Sequence, residues 1–227
     1  MGEWVEVKGK DGPFKAYVAR PQGKPKAAVV VIQEIFGVNA TMQHKSDWLA
    51  GEGFLAISPD LFWRLEPGVQ LTDKTQEEWG KAFDLMKRFD QGKGVEDIQA
   101  TIDHVRSTGK VGAIGYCLGG LLAYLTACRT NADACVGYYG VGIETKLGEA
   151  ANLANPLMLH IAGKDQFVKP EAQDAIKAGL SSKPSVAIHV YANEDHAFTR
   201  EGGAHYAADA ARLADGRTVA FLNEKLA

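Results

Sequence analysis

The chain has 227 residues, 46% apolar and 23% charged, with a net charge of −3. That length suits a single α/β domain with a substantial core, taken here as residues 1–227, and the composition excludes disordered and collagen-like classes. The charges are interspersed and leave no basic footprint for nucleic acid; no apolar run approaches the roughly 18 residues of a membrane span, and Met1 to Glu6 lacks the form of a signal peptide, so a cytoplasmic location is expected.

Trp4 to Val7 and Phe14 to Ala19 alternate in polarity around a turn-rich loop, Gly9 to Pro13, and read as an antiparallel hairpin. Ala27 to Ile32 is a continuous β-branched run, the pattern of a strand covered on both faces. A helix over 41–50 follows, ended by Gly51-Glu52-Gly53. Phe54 to Ser58 is another buried strand, stopped by Pro59. The stretch 65–75 is irregular and long enough to line a functional site. Helical segments at about 75–90 and 95–107 are separated by Gln91-Gly92-Lys93-Gly94. Strand 110–115, a helix to about 129, strands at 134–139 and 156–161, helix 170–180, strand 185–191 and a helix of about 203–223 complete the chain. Strands alternating with helices imply a doubly wound, mostly parallel sheet with helices on both faces.

Between strand 110–115 and its helix stands Gly115-Tyr116-Cys117-Leu118-Gly119-Gly120. Strand, small-x-nucleophile-x-small, helix is the spacing of a nucleophile elbow, with sulfur at the centre. The sharp turn strains the nucleophile's backbone, and glycine at its flanks lets strand and helix approach closely. The helix N-terminus then directs free N–H groups at the sulfur, which favours a thiolate. The plain alternative is a small buried hydrophobe between two elements. Three cysteines in a chain of this length suit a reducing compartment. Cys128 lies about 16 Å from Cys117 along one helix, beyond disulfide reach, and Cys135 falls in the next strand. None has metal-ligand spacing, and no metal is expected.

Active groups in such a sheet gather at the carboxyl ends of strands. His44 and His104 fall on amphipathic helices, His160 inside a buried strand as a hydrogen-bonded core group, and His189 outward on an edge strand. His196 sits in the loop after the last strand, where a base belongs; His205 is the reserve. Asp165 follows the strand 157–162, although Gly163-Lys164-Asp165 would also suit an ordinary turn. The order Cys117, Asp165, His196 is that of the α/β-hydrolase fold. His196 would take the thiol proton and return it to the leaving oxygen, Asp165 would orient the imidazole, and Cys117 would form a thioester that water cleaves. The backbone N–H groups of Leu118 and Ile35 would meet the oxyanion.

The chain resembles the dienelactone hydrolase (carboxymethylenebutenolidase) family through Gln33-Glu34-Ile35-Phe36-Gly37-Val38-Asn39, Ser58-Pro59-Asp60-Leu61, the elbow, Val136 to Gly142 and His196-Ala197-Phe198. The resemblance implies a Cys117, Asp165, His196 triad, no cofactor, and a cytoplasmic hydrolase that opens dienelactone to maleylacetate in aromatic degradation. It also implies that Glu34 keeps the resting thiol neutral until substrate displaces it. Family members hold the substrate carboxylate with two arginines. Arg200 matches one; the other position falls at Trp79, and a family tyrosine falls at Phe83. Phe36 joins these as an expected substrate contact, and Lys81 or Arg64 could replace the missing arginine only as a point charge. The alternative is a general esterase or thioesterase for a less polar substrate. A non-catalytic binding module and a redox sensor on Cys117 are weaker readings, because a binding module need not retain all three positions and no resolving cysteine is evident. The expected partner is a small lactone or ester, with no nucleic acid or membrane, and the protein is expected to be a monomer.

Overall fold

The computed structural model describes residues 2–226, in a first compact unit ending at Gly112 and a second beginning at Ala113. In the first unit, β1 (Glu3–Gly9) and β2 (Gly12–Ala19) form the expected hairpin with a tighter turn. Gly9 pairs with Gly12, so Lys10 and Asp11 alone make the bend. β3 (Ala28–Ile32) and β4 (Leu55–Pro59) are buried at every position. β4 runs parallel to β3 and antiparallel to β2, giving the order β1-β2-β4-β3. With both faces covered, every side chain of β3 is apolar, and each buried Val or Ile contributes about 1.5–3 kcal/mol.

Among the described residues three helices complete this unit, each started by a side-chain cap. Asn39 accepts the Met42 N–H at 3.2 Å to open α1 (Ala40–Gly51). Thr75 accepts the Glu78 N–H at 3.2 Å to open α2 (Gln76–Arg88), and Glu78 reaches back to the Thr75 hydroxyl at 3.1 Å. Acidic residues in the first turn of α2 and Lys87 and Arg88 in its last complement the helix dipole. α3 (Gln91–Val105) begins earlier than its glycines suggest. Asp90 accepts the Lys93 N–H at 3.0 Å, and this cap turns Gln91-Gly92-Lys93-Gly94 into the first turn of α3, not a separator.

β5 (Val111–Tyr116) crosses the boundary between the units. The second unit continues with α4 (Leu118–Arg129), β6 (Ala134–Tyr138), a 3₁₀ segment Ile143–Asn152, β7 (Leu157–Ala162), α5 (Pro170–Leu180), β8 (Val186–Tyr191) and α6 (Ala208–Leu226). Its strand order is β5-β6-β7-β8, with β7 parallel to both β6 and β8. α6 starts later than position 203 because the chain first turns back on itself. Ala207 donates its N–H to the Phe198 carbonyl at 3.0 Å.

His160 is the core histidine its strand position implies. Its Nδ1 meets the Tyr191 hydroxyl at 2.8 Å and its Nε2 the Thr218 hydroxyl at 3.0 Å, and burial holds its pKa well below the ordinary value. His189 lies partly exposed on β8, the last strand in the order, its ring stacked 5.7 Å from that of His160. His44 and His104 are exposed on α1 and α3. Among the described residues no helix is long and apolar enough to cross a membrane.

Candidate active site

Cys117 stands between β5 and α4 with φ 57° and ψ −115°, a backbone conformation that residues with a β-carbon rarely adopt. Such strain costs about 1–3 kcal/mol and persists only where neighbours enforce it. Here they do: the Cys117 N–H donates to the Tyr138 carbonyl at 3.1 Å, and its own carbonyl accepts from the Gly120 N–H at 2.9 Å. A β-carbon on Gly115 would collide with the backbone of Gly119, and one on Gly120 would lie 2.5 Å from the Tyr138 carbonyl oxygen. Glycine at these two positions is therefore a packing requirement of the elbow. Leu118 opens α4, so its N–H belongs to the first turn, where helix geometry provides no acceptor.

His196 follows β8 and Asp165 follows β7, both buried. The imidazole Nδ1 meets Asp165 Oδ2 at 2.8 Å. Asp165 Oδ1 accepts the N–H groups of Phe167 at 2.8 Å and Val168 at 3.1 Å, which fixes the carboxylate while its other oxygen faces the histidine. Two aromatic rings meet the imidazole edge-on, Tyr139 at 5.0 Å and Phe167 at 4.9 Å. Tyr139 is anchored in turn by a 3.0 Å bond between its hydroxyl and that of Thr199.

Nε2, on the far side of the imidazole, is buried and has no hydrogen-bond partner. Burial disfavours the charged ring, but the charge on the Cys117 sulfur, followed by the bond to Asp165, outweighs it and raises the His196 pKa to about 10. Among the described residues, three with a β-carbon take positive φ, Cys117, Tyr139 and Ala197, and all of them belong to this constellation. The arrangement presents a strained sulfur at a helix N-terminus, an oriented base and a buried acid, which is the equipment for nucleophilic acyl transfer.

The other expected site residues have well-defined surroundings within their own units. Glu34, Ile35 and Phe36 are buried in the loop after β3. Gln33 steadies that loop, accepting the Leu61 N–H at 2.9 Å and donating to the Glu34 carbonyl at 3.3 Å. The irregular stretch 65–75 is pinned against it. The Leu71 N–H donates to the Phe36 carbonyl at 2.9 Å, Asn39 donates to the Leu71 carbonyl at 2.8 Å, and buried Asp60 accepts the Gly68 N–H at 2.7 Å. Trp79 packs edge-on to Phe36 at 4.9 Å and lies 5.4 Å from Phe83, so the structure gathers these three expected contacts into one aromatic cluster.

The two cations considered as substitutes for the absent arginine are engaged. Lys81 pairs with Glu66 at 2.5 Å, and Arg64 binds both oxygens of buried Asp97 and reaches Asp11 at 3.1 Å. Arg200 lies in the second unit, in the turn after His196, its N–H donating to the Ala197 carbonyl at 2.8 Å. The reserve histidine, His205, is largely exposed with Nδ1 3.6 Å from Asp195, apart from Asp165. Asp195, Tyr139 and Phe167 escaped the sequence reading, although Asp195 directly precedes the histidine and Phe167 lies two residues past the acid. All three cysteines are free, and no group of three or more metal-binding side chains gathers among the described residues.

The dienelactone hydrolase family matches residues 14–226, a span that includes the elbow, the acid and the histidine. A proposed carboxymethylenebutenolidase of Azospirillum brasilense is 49% identical over 96% of each chain, and a carboxymethylenebutenolidase of Pseudomonas putida is 39% identical over 98% of this chain and 96% of its own. The crystal structure of a proposed dienelactone hydrolase from Klebsiella pneumoniae superposes with a TM-score of 0.85 at 23% identity, covering 97% of both chains. That likeness, with eight mostly parallel strands alternating with helices, fixes an α/β-hydrolase fold. A match over residues 14–226, through the elbow, with relatives covered over nearly their whole length, supports one assignment: the chain belongs to the dienelactone hydrolase family.

Proposed function

We propose that the protein hydrolyses lactone or carboxylic ester bonds through Cys117, His196 and Asp165, with dienelactone, opened to maleylacetate, as its substrate. The observation that carries this reading is the buried 2.8 Å bond from Asp165 to His196 Nδ1, which leaves Nε2 unpartnered beside a strained cysteine at the start of α4. The Cys117 thiolate adds to the lactone carbonyl carbon, and the carbonyl electron pair moves onto oxygen, where the Leu118 N–H receives it. Collapse breaks the ring C–O bond, and the leaving oxygen takes the proton from His196. The enol so released becomes the ketone of maleylacetate. Water then loses a proton to His196 and adds to the thioester, the C–S bond breaks, and the thiolate returns with His196 again charged.

The parts played by Glu34 as a switch on the thiol, by Ile35 as the second oxyanion donor, and by Phe36, Trp79 and Phe83 as substrate contacts rest on the family pattern. Arg200 is assigned to the substrate carboxylate on the same ground, because a guanidinium matches a carboxylate with two parallel bonds. A second reading, a general esterase or thioesterase for a less polar substrate, is favoured by one observation. The position of the second family arginine is an aromatic residue packed edge-on to Phe36 and beside Phe83, and the cations Arg64 and Lys81 already hold carboxylates.

Steady-state hydrolysis of cis- and trans-dienelactone, with Cys117→Ala as the blank, tests the proposal. Turnover of about one per second or more, absent in the blank, is the expected result. Turnover on short-chain esters or thioesters but not on either lactone establishes the second reading, and equal rates in wild type and Cys117→Ala remove the nucleophile assignment.

A further inference from the structure

The acid and the base of the triad sit on two different loops, and a 2.8 Å bond between them demands that the loops keep a fixed offset. Backbone bonds supply part of it: the Gly163 N–H donates to the Tyr191 carbonyl and the Lys164 N–H to the Glu194 carbonyl, each at 2.8 Å. Both stop short of the triad residues themselves. The stitch closest to them is made by a side chain. Asp195 Oδ1 accepts the N–H of Gln166, next to the acid, at 3.1 Å, and the N–H of His196 at 2.6 Å. Its other oxygen faces His205 Nδ1 at 3.6 Å, on the segment that leads to α6.

We propose that Asp195 is the positioning residue of this site: one carboxylate, holding the acid loop, the base loop and the segment before α6, sets the distance between Asp165 and His196. The inference rests on the triad reading above. Two further features give it physical content. Ala197, the residue after His196, is held at φ 61°, and a strained backbone at that point relaxes unless something restrains its neighbour. The Asp195 bond to the His196 N–H is that restraint. Gly163 is packed so closely that a β-carbon there would lie 2.6 Å from Ala192 Cα, so the loops already touch at their bases and need fixing only at their tips. A carboxylate suits the task, because an ionised acceptor binds two N–H groups through one oxygen more strongly than a neutral one does.

The test compares Asp195→Ala, Asp195→Asn and His205→Gln with wild type on whichever ester or lactone the wild type turns over. Asp195→Ala is expected to lower kcat about thirtyfold with KM changed less than about threefold, since small displacements of catalytic groups cost up to about a hundredfold. The alkaline limb of its kcat/KM profile should also fall by about one pH unit, because a loosened Asp165 no longer supports the charged imidazole. Asp195→Asn keeps an oxygen for both N–H groups and should restore kcat to within about fivefold and return the alkaline limb. His205→Gln should change kcat less than about threefold. Circular dichroism and alkylation of Cys117 count the folded fraction, so rates refer to folded enzyme. A folded Asp195→Ala with wild-type kcat and pH profile overturns the proposal, as does a loss that follows the folded fraction alone. Failure of the triad reading looks different: Cys117→Ala would then retain turnover in an otherwise unaltered protein.

Discussion

Replacing Cys117 by serine removes the charge that most strongly raises the His196 pKa while keeping a small polar side chain at the elbow. In the wild type, burial opposes the imidazolium, and the sulfur charge and then Asp165 overcome it, so the ring holds its proton to about pH 10 against an ordinary value of 6.5. A rise from 6.5 to about 10 means that the fold favours the charged ring. A serine hydroxyl is neutral throughout this range. With burial unopposed by sulfur, His196 in Cys117→Ser should titrate at least about two units lower than in the wild type. The sign for stability follows from the direction of the shift. The folded-state pKa lies above the unfolded one, so the contribution is complete below about pH 6.5 and is lost as the pH rises through about 10. The advantage of wild type over Cys117→Ser in melting temperature should therefore shrink as the pH rises through about 10. Carbon-13 NMR titration of the imidazoles, with His196→Gln to assign the resonance, measures the pKa directly. A serine variant whose His196 still titrates near 10 would refute the sulfur as the cause. A wild-type His196 titrating near 6.5 would show that the thiol rests neutral, the state the family pattern assigns to Glu34's influence.

Other substitutions probe the scaffold and the substrate. Gly115→Ala drives a β-carbon into the backbone of Gly119 and should destabilise the protein by at least about 3 kcal/mol in urea unfolding; a loss under 1 kcal/mol would mean the elbow opens freely. Asp97→Ala strips Arg64 of a two-point partner and the Trp63 ring N–H of its 2.9 Å acceptor, at a cost of about 3–5 kcal/mol by the same assay. Arg200→Ala should raise KM for an anionic substrate about thirtyfold, equivalent to about 2 kcal/mol, while leaving that for a neutral ester nearly unchanged; equal effects on both would argue against carboxylate recognition.

Much of the fold was legible because its signals are local. Ala28–Ile32 and Val111–Tyr116 read as buried strands from uninterrupted apolar sequence, and both are buried throughout. The elbow was legible because part of its steric reason is local: only glycine at 115 leaves room for the backbone of Gly119, whereas the close approach of Gly120 to Tyr138 involves the following strand. The start of α3 was misread because glycine propensity argues against a helix at Gly92 and Gly94, whereas the cap from Asp90 decides the matter. Asp195 was invisible for a different reason. Its essential partner, the Gln166 N–H, is 29 residues away, and neither periodicity nor spacing records such a bond.

The same distinction bears on substrate polarity. In the sequence Arg64 stands with Lys81 as a cation that could replace the missing arginine only as a point charge. In the fold its guanidinium lies 4.4 Å from the centre of the Trp63 ring and binds both oxygens of Asp97, a carboxylate buried in α3. To turn toward a substrate it would have to leave a buried carboxylate unpaired, and breaking such a pair costs about 3–5 kcal/mol, more than one new charged bond typically returns. Lys81 faces a smaller barrier, since its pair with Glu66 is exposed and worth at most about 1 kcal/mol. Of these two cations only Lys81 could turn to an anionic substrate at small cost, so Lys81→Ala tests that use directly, while Arg64→Ala should act on stability instead. If Arg64→Ala raised KM for the anionic lactone and left unfolding unchanged, the assignment of Arg64 to the scaffold would fall.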